Sequence, residues 1–340
     1  MQLDVIIPTY NRAQMVQRTL ASLLAARVPE GLGVRVAVVD NNSKDATREA
    51  VAAWAARFEG RLTYVFETRQ GRSPAINAGV AATGGELVGM IDDDEEVAPD
   101  WFEQIFKAFA PGEVDYIGGK CLPRWETEPP AWLPGEYRGV IGWVDGGDEP
   151  RAYGRDYPGI LTGGNAVIRR ATLERIGGYS NALGRTDKGL LSCEDEEMYQ
   201  RLLDAGARGR YVPGLVIYHF VPRERMTKSY YRRWCFWRGV SMGVLDRARP
   251  APVPYLWGVP RYFYGRAARA ALSRAKAAFG ARADAPKKFA NELAVLDLAG
   301  YFYGKHFYKA ARAKGGGAEN VNGAGSHAGR AASAAGEKTA

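Results

Sequence analysis

Five consecutive acidic residues carry the clearest chemical signal in the chain. They run from Asp92 to Glu96 and directly follow ELVGMI at 86–91, an apolar stretch typical of a buried strand. Carboxylates crowded at a strand end are costly unless a cation neutralises them, and Mg²⁺ or Mn²⁺ prefers carboxylate oxygen together with substrate phosphates. The run therefore predicts a divalent metal site that holds a diphosphate. The alternative is a solvated acidic turn that caps the next helix.

Two further polar loops follow predicted strands. PTYNR at 8–12 comes after a strand at 3–7, and DNNS at 40–43 comes after a strand at 34–39. Asn and Asp are ordinary turn formers and helix caps, so each loop alone has a structural explanation. Because the carboxyl ends of parallel strands share one edge of a sheet, we expect both loops and the acid run to converge on one ligand site.

Candidate acid–base residues lie in the second half of the chain. The run CEDEE at 193–197 leads into a helix predicted at about 195–205, and His219 ends an apolar strand predicted at 210–220. Carboxylates at a helix N-terminus often only stabilise the helix dipole, and a lone histidine is usually structural. His219 is therefore a candidate ligand only if the fold brings it near the acid run.

The elements that position these residues follow from hydrophobic periodicity. Short strands predicted at 3–7, 34–39, 62–66 and 86–91 alternate with helices at about 15–26, 46–58 and 73–82. This alternation predicts right-handed crossovers and a Rossmann-like, mostly parallel α/β sheet flanked by helices. Between 111 and 158 the pattern is interrupted by Gly, Pro and Trp, which predicts irregular connecting loops.

The C-terminal third is basic and helical by pattern. Residues 220–314 hold 20 Lys or Arg against 5 Asp or Glu, a balance of +15, which leaves −7 elsewhere in a chain of net charge +8. Residues 255–282 combine an apolar helical face with Arg and Lys. Such a helix can lie on an anionic membrane, or pack on the core with a solvated face. RNA binding is disfavoured because no nucleic-acid module accompanies the charge.

Composition excludes several classes of protein. No stretch approaches the ~18 uninterrupted apolar residues of a spanning helix, and Asp4 precedes only a short apolar run, which predicts no secretory signal. Cys121, Cys193 and Cys235 show no CxxC spacing, which predicts reduced thiols rather than a disulfide framework or zinc knuckle. We therefore expect a cytoplasmic protein, or one peripheral on the inner face of a membrane through its basic region.

Six blocks, in order, resemble glycosyltransferase family two. They are VIIPTYNR, VVDNNSKD, GRSPAINAGVAATGGELVGMIDDDEEVAPDWF, GGNAVIRRATLERIGGY, SCEDEEMYQRLLDAG and YVPGLVIYHF. The blocks span about residues 3–220, and six in register are specific although each is degenerate. The resemblance implies a GT-A fold with a C-terminal helical extension. It corresponds to a GT-A domain at 1–220, with a nucleotide half at 1–110 and an acceptor half at 111–220. Periodicity and composition predict a basic helical extension at 221–312 and a disordered low-complexity tail at 313–340.

The resemblance also implies roles for individual residues. Nucleotide binding is assigned to Pro8, Thr9, Tyr10, Arg12, Asp40, Arg72, Asp92 and Asp93. A divalent cation, Mn²⁺ or Mg²⁺, is assigned to Asp92, Asp94 and His219, with Asp94 as the direct ligand. The sugar and acceptor pocket is assigned to Gly163, Gly164 and Asn165. Asp195, beside Glu194, is the implied catalytic base.

Two departures from the family pattern affect these assignments. Many relatives carry Ala-Arg-Asn where this chain has AIN at 75–77, so either Arg69 or Arg72 is a candidate replacement for the missing arginine. The Gln-x-x-Arg-Trp motif of processive synthases lacks its glutamine in YYRRW at 230–234, which favours a non-processive enzyme. Arg232 and Arg233 of this segment are assigned to the diphosphate, since arginine suits bidentate phosphate contacts.

The expected chemistry is a single displacement. A base on the acceptor side and a metal on the departing diphosphate suit in-line attack that inverts the anomeric centre, unlike the two-carboxylate covalent route. The expected donor is a UDP-sugar, and the expected acceptor is a saccharide or lipid-linked saccharide of surface-polysaccharide or glycolipid assembly. The rival hypothesis is a catalytically silent scaffold of an envelope-polysaccharide complex, which should have lost Asp94 or Asp195. A dinucleotide oxidoreductase is disfavoured because no GxGxxG follows the first strand.

Overall fold

Four parallel strands form the first half of the central sheet in the computed structural model, which describes residues 1–181, 191–278 and 285–309. The strands are β1 (Gln2–Thr9), β2 (Gly33–Asp40), β3 (Leu62–Phe66) and β4 (Leu87–Met90), and the helices between them are α1 (Ala13–Ala25), α2 (Thr47–Ala52) and α3 (Arg72–Ala81). Their order in the sheet is β3-β2-β1-β4. The register pairs Thr9 with Asp40, so the polar loops after β1 and β2 start side by side, as predicted.

The second half of the sheet is mixed. Its strands are β5 (Glu95–Val97), β6 (Tyr116–Trp125), β7 (Arg151–Tyr153), β8 (Ala166–Arg169) and β9 (Gly209–Val221), and its helices are α4 (Trp101–Phe109), α5 (Arg170–Ile176) and α6 (Glu194–Asp204). The order continues from β4 as β8-β6-β9-β5, with β7 also on β9. β8 is antiparallel to both β4 and β6, whereas β6 is parallel to β9.

The prediction of irregular loops from 111 onward was wrong for β6, which lies inside the sheet. The glycines that broke the pattern are required by this strand. Its register with β9 shifts between Gly118 and Lys120, and a Cβ on Gly119 would collide with the backbone of Leu215. A β-bulge with close backbone approach is a setting in which glycine is favoured within a strand.

Helices cover both faces of the sheet, because successive strand residues point to opposite faces. Along β1, Leu3, Val5 and Ile7 join one core cluster with α1 and α4. Ile6 faces the other cluster, which holds side chains of α3, α5 and α6. The helices cover the two faces of the sheet and leave its carboxyl edge uncovered, where the loops after β1, β2 and β4 can form a site.

The C-terminal region is a helical extension, as predicted. It comprises α7 (Lys228–Ala248), a short hairpin of β10 (Tyr255–Leu256) and β11 (Val259–Pro260), α8 (Arg261–Ala278) and α9 (Ala285–His306). Within residues 1–181, 191–278 and 285–309, no helix has both the length and the apolar character needed to cross a bilayer. The predicted disordered tail at 313–340 lies outside the described residues.

Helices α7 and α9 approach each other through glycines spaced four apart. Gly239 and Gly243 lie on α7, and Gly300 and Gly304 lie on α9. A Cβ at any of the four would collide with the backbone of the opposite helix. Four-residue spacing places such glycines on one helical face, where small residues let two helix backbones come close.

Candidate active site

One cavity of about 570 Å³ lies at the carboxyl edge of the parallel strands. The predicted residues that line it are Pro8, Thr9, Tyr10, Arg12, Arg72, Asp92, Asp93, Asp94, Gly164, Glu194, Asp195 and His219. These residues come from both halves of the sheet and from the start of α6. The two strand-end loops and the acid run therefore line one cavity, and the start of the second acidic run lines it as well.

The loop after β1 is joined to the acid run by direct hydrogen bonds. Thr9 Oγ1 donates to Asp93 Oδ2 at 2.7 Å. Arg12 Nη1 donates to Asp93 Oδ1 and to Asp94 Oδ2, both at 2.8 Å. Burial raises the pKa of Asp93, and the positive charge of Arg12 opposes that rise. The acid run is thus partly neutralised by the protein itself.

Asp94 and His219 are brought together because β5 and β9 are antiparallel neighbours, with Glu95 opposite His219. His219 Nε2 lies 3.6 Å from Asp94 Oδ1, and Nδ1 lies 2.8 Å from the carbonyl oxygen of Ile141. A carbonyl can only accept, so Nδ1 carries the proton and Nε2 presents its lone pair beside the carboxylate.

Arg225 also reaches this pair, and sequence reasoning missed it. Its Nη2 donates to Asp94 Oδ2 at 3.3 Å and its Nη1 lies 2.9 Å from His219 Nε2. Although burial disfavours the charged carboxylate, the positive charges of Arg225 and Arg12 hold the pKa of Asp94 well below its ordinary value. The available signal was proximity, since Arg225 follows His219 by six residues.

Asp94 and His219 suit a divalent cation whose remaining ligands come from a substrate and from water. The third predicted ligand, Asp92, instead accepts from Arg72 Nε at 2.9 Å. In the described part of the chain, no three His, Cys, Asp or Glu side chains group closely enough to hold a metal alone. Mg²⁺ commonly takes one or two carboxylates and completes its shell with water and phosphate oxygens, so two protein donors fit a metal bound together with a diphosphate.

Arg72 links the acid run to the second acidic run. Its Nη1 donates to Asp195 Oδ1 at 3.1 Å, and its side chain is only 14% exposed. Burial works against the charge, but Asp92 and Asp195 raise the pKa of Arg72 well above its ordinary value. Arg69, the other candidate replacement, pairs with Glu67 and is 64% exposed. Of the two candidates, Arg72 is therefore the one in the cavity.

The Gly-Gly-Asn segment makes room for the carboxylates and anchors the sheet. A Cβ on Gly163 would collide with the Asp195 carboxylate, and one on Gly164 would collide with Glu95. Asn165 is fully buried. Trp101 Nε1 donates to Asn165 Oδ1 at 2.9 Å, and the side-chain amide of Asn165 donates to the carbonyls of Lys120 and Leu215.

Five predicted site residues do not line this cavity, and their assignment to it is corrected: Asp40, Gly163, Asn165, Arg232 and Arg233. Asn165 is turned toward the sheet by the hydrogen bonds above. Asp40 accepts from Ser43 N at 2.8 Å and from Tyr64 Oη at 2.7 Å, so it shapes its own loop, while Asn41 lines the cavity. Arg232 pairs with Glu292 at 2.5 Å on an exposed helix face. Arg233 instead lines a smaller cavity of about 140 Å³.

The acidic run at the start of α6 combines site and structural residues. Glu194, Asp195 and Glu196 line the cavity, whereas Glu197 pairs with Arg201 at 2.8 Å one turn along the helix. Burial, reinforced by the charge of Asp195, raises the pKa of Glu196 to about 7. The run therefore places a carboxylate paired with Arg72 and a readily protonated one beside the same cavity.

The sheet joins a parallel half that ends in polar loops to a mixed half, and a second acidic run lies over the same cavity. This architecture is a GT-A fold. The model of Glycosyl transferase family 2 matches residues 4–177, just over half of the chain. The chain belongs to glycosyltransferase family 2. The resemblance read from the six blocks is thereby confirmed.

Named relatives and solved structures agree with this assignment. The chain is 26% identical over 256 residues to glucosyl-dolichyl phosphate glucuronosyltransferase of Haloferax volcanii, covering 74% of this chain and 79% of that protein. It is 24% identical over 273 residues to succinoglycan biosynthesis protein ExoM of Rhizobium meliloti, covering 76% and 80%. The fold is similar to that of mannosyltransferase PcManGT from Pyrobaculum calidifontis, solved in complex with GDP-Man and Mn²⁺, with a TM-score of 0.60. The match covers 89% of this chain and 86% of that chain at 23% sequence identity.

Proposed function

We propose that the chain transfers a sugar from a nucleotide-sugar, with a UDP-sugar as the first candidate, to a hydroxyl of a saccharide or lipid-linked saccharide. The proposed reaction needs Mn²⁺ or Mg²⁺ and inverts the anomeric centre. The observation that carries the proposal is one cavity with Asp94 and His219 at one position, Asp195 at another and Arg72 between them. The named relatives, one acting on a dolichyl phosphate-linked sugar and one in succinoglycan biosynthesis, support the acceptor class.

The proposed mechanism assigns a distinct task to each charged group. Asp195 accepts the proton of the acceptor hydroxyl, and its ion pair with Arg72 orients the carboxylate. Arg12 holds Asp93 and Asp94 in place beside the donor. A cation held by Asp94 and His219 would stabilise the negative charge of the departing diphosphate. Because base and leaving group are served by different parts of the cavity, a single in-line displacement is the simplest route.

We further propose that the extension lies on an anionic membrane on the cytoplasmic side. Five of the exposed apolar residues of the extension form what we term the aromatic surface. They are Leu256, Trp257, Phe302, Tyr303 and Phe307. His306 connects its two parts, since Nε2 lies 3.0 Å from the Trp257 carbonyl and its ring lies 4.6 Å from that of Phe302. The balance of +15 over residues 220–314 complements anionic lipid.

Trp257 supports this assignment by its backbone as well as its exposure. It is 75% exposed at the hairpin tip, and its φ is 48°. Bulky residues rarely adopt positive φ, and such a conformation costs about 1–3 kcal/mol. A strained, exposed tryptophan contributes little to folding, whereas indole suits the boundary between water and lipid.

The enzyme assignment is tested by nucleoside-diphosphate release from a panel of nucleotide-sugars with Mn²⁺ or Mg²⁺, and again with EDTA. We expect slow hydrolysis of one donor that EDTA abolishes and Asp94→Asn lowers by at least about 100-fold. The control is Asp204→Asn, because Asp204 is an exposed carboxylate at the far end of α6. Folded protein that binds no nucleotide with metal present would overturn the proposal and favour the scaffold hypothesis.

A further inference from the structure

A second, smaller cavity joins the candidate active site and is not used by the mechanism above. Its volume is about 140 Å³. It is lined by Ser192, Arg225, Tyr230, Arg233, Trp234, Trp237 and Arg238, and we term it the side cavity. Ser192, Arg225, Trp234 and Arg238 also line the larger cavity, so the two cavities are adjacent. They are therefore close enough for one ligand to place a group in each.

The side cavity is positively charged. Three of its lining residues are arginines, and none of its described lining residues is acidic. Arg225 is matched by Asp94, and Arg238 is held by both carboxylate oxygens of Asp297, which is 1% exposed. Arg233 forms no ion pair with a carboxylate among residues 1–181, 191–278 and 285–309. The arginine positions are therefore built into the fold, and one guanidinium is left to receive an anion.

The position of the side cavity favours the acceptor over the donor. The loops after β1 and β2, which line the larger cavity, contribute nothing to its described lining. It lies instead between α7 and the segment that leads to Asp195, since Ser192 N donates to Ser241 Oγ of α7 at 2.9 Å. A group bound there adjoins the segment that leads to the proposed catalytic base through Ser192, and it adjoins Asp94 through Arg225.

The walls of the side cavity suit a phosphate attached to an apolar chain. Tyr230, Trp234 and Trp237 supply aromatic faces beside the arginines. The Trp237 ring lies 6.0 Å from that of Tyr308, which lies 6.2 Å from Tyr303 of the aromatic surface. A continuous series of rings thus joins the side cavity to the surface that we assign to the membrane.

We propose that the side cavity binds a phosphate group carried by the acceptor. The proposal rests on the proposed function and adds a substrate class to it, namely acceptors with a phosphate ester near the reacting sugar. Arginine suits this task because its planar donors match phosphate oxygens in pairs. The same phosphate chemistry could come from a lipid-linked or a soluble acceptor, or from the donor diphosphate, so the test must separate these sources.

The test compares Arg233→Gln with Arg232→Gln by calorimetry on the full chain with Mn²⁺. Arg232 is the matched control, because it is the neighbouring residue and pairs with Glu292 outside both cavities. The probes are the nucleoside diphosphate alone and then, with that nucleotide saturating, farnesyl phosphate, glucose 1-phosphate and farnesol. We expect Arg233→Gln to weaken phosphate-bearing probes by about 10- to 100-fold and nucleotide binding by less than twofold. Arg232→Gln should change neither.

Each outcome decides the proposal. Tighter binding of farnesyl phosphate than of glucose 1-phosphate, with farnesol weak, supports a lipid-linked acceptor, and equal binding supports a soluble one. Equal weakening of nucleotide and phosphate probes by Arg233→Gln would assign the side cavity to the donor and overturn the proposal. Nucleotide binding without binding of any phosphate probe would overturn it while leaving the proposed function intact. Absence of nucleotide binding itself would instead contradict the proposed function.

Discussion

The sheet region, residues 2–221, and the helical extension, residues 228–306, use glycine for different purposes. In the sheet region Gly163 and Gly164 make room for the carboxylates of Asp195 and Glu95. In the extension Gly239, Gly243, Gly300 and Gly304 make room for the backbone of a neighbouring helix. The close approaches at Gly163 and Gly164 therefore serve charged groups of the cavity, and those in the extension serve packing. Substitutions should consequently impair chemistry in one region and stability in the other.

The largest effect is expected from Asp195→Asn in the sheet region. Loss of the proposed base should lower the rate of transfer by about 10²- to 10⁴-fold. Nucleotide affinity should stay within about twofold, and the free energy of unfolding should change by less than about 1 kcal/mol, because Arg72 keeps its bond to Asp92. Steady-state kinetics, calorimetry and urea unfolding measure the three quantities.

Asp204→Asn is the matched control for this change, since both residues belong to α6 and only Asp195 lines the cavity. A rate that falls equally in both variants would show that the helix, and not the carboxylate at 195, limits transfer. It would also contradict the expectation that substitutions at the cavity of the sheet region impair chemistry rather than stability.

In the extension, Gly300→Ala should destabilise the protein. Glycine-to-alanine changes inside helices usually stabilise by roughly 0.5–1 kcal/mol. At Gly300 the added methyl group would collide with the backbone oxygen of Phe236, so we expect a loss of about 1–3 kcal/mol. Gly265→Ala on α8 is the control, because the nearest atom to its Cβ is Arg269 Nη1 at 3.6 Å. Equal urea midpoints for the two variants would contradict close helix packing.

The sequence predicts the site better than the packing that supports it. Strand-end loops can be located from periodicity, because parallel strands bring PTYNR, DNNS and the acid run to one edge whatever the detailed register. The roles of Asn165, Arg225 and the β6 glycines depend on partners that are distant in sequence, namely Trp101, Asp94 and Leu215. The same applies to the paired glycines of α7 and α9, whose meaning appears only when two helices are placed together.

Glu196 tests whether a buried, ionised carboxylate at the cavity lowers the free energy of unfolding. Burial raises its pKa from the ordinary 4.5 to about 7, so between these values the folded state binds a proton that the unfolded state releases. The free energy of unfolding should therefore fall as pH rises from about 4.5 to about 7, and then level off. Glu196→Gln should remove this fall, which amounts to about 3 kcal/mol at neutral pH because each pKa unit is worth about 1.36 kcal/mol.

The measurement is urea unfolding of wild type and Glu196→Gln at a series of pH values. The difference between the two should be smallest near pH 4.5 and largest at pH 7 or above. A constant difference across the series would mean that the carboxylate is already charged in the folded state at low pH. Glu103→Gln is a suitable control, since Glu103 pairs with the exposed Arg27 and lies outside the cavity.

The smallest expected effect separates the aromatic surface from the packing of the extension. Trp257→Asn should leave stability unchanged or slightly higher, because asparagine tolerates the positive φ of this position and the indole is 75% exposed. Sedimentation with vesicles of phosphatidylcholine and phosphatidylglycerol should show about tenfold weaker binding. Burying on the order of 60 Å² of ring surface is worth about 1.5 kcal/mol, which corresponds to that factor.

Phe66→Asn provides the control from the other region, because Phe66 is 52% exposed at the end of β3. If it weakens vesicle binding as much as Trp257→Asn, exposed aromatic side chains act without regard to location and the aromatic surface is not the membrane contact. If only Trp257→Asn weakens binding, the extension combines two separable properties. Its glycines then stabilise the helix pair, while its strained hairpin tip is retained for contact with lipid at a small cost in folding.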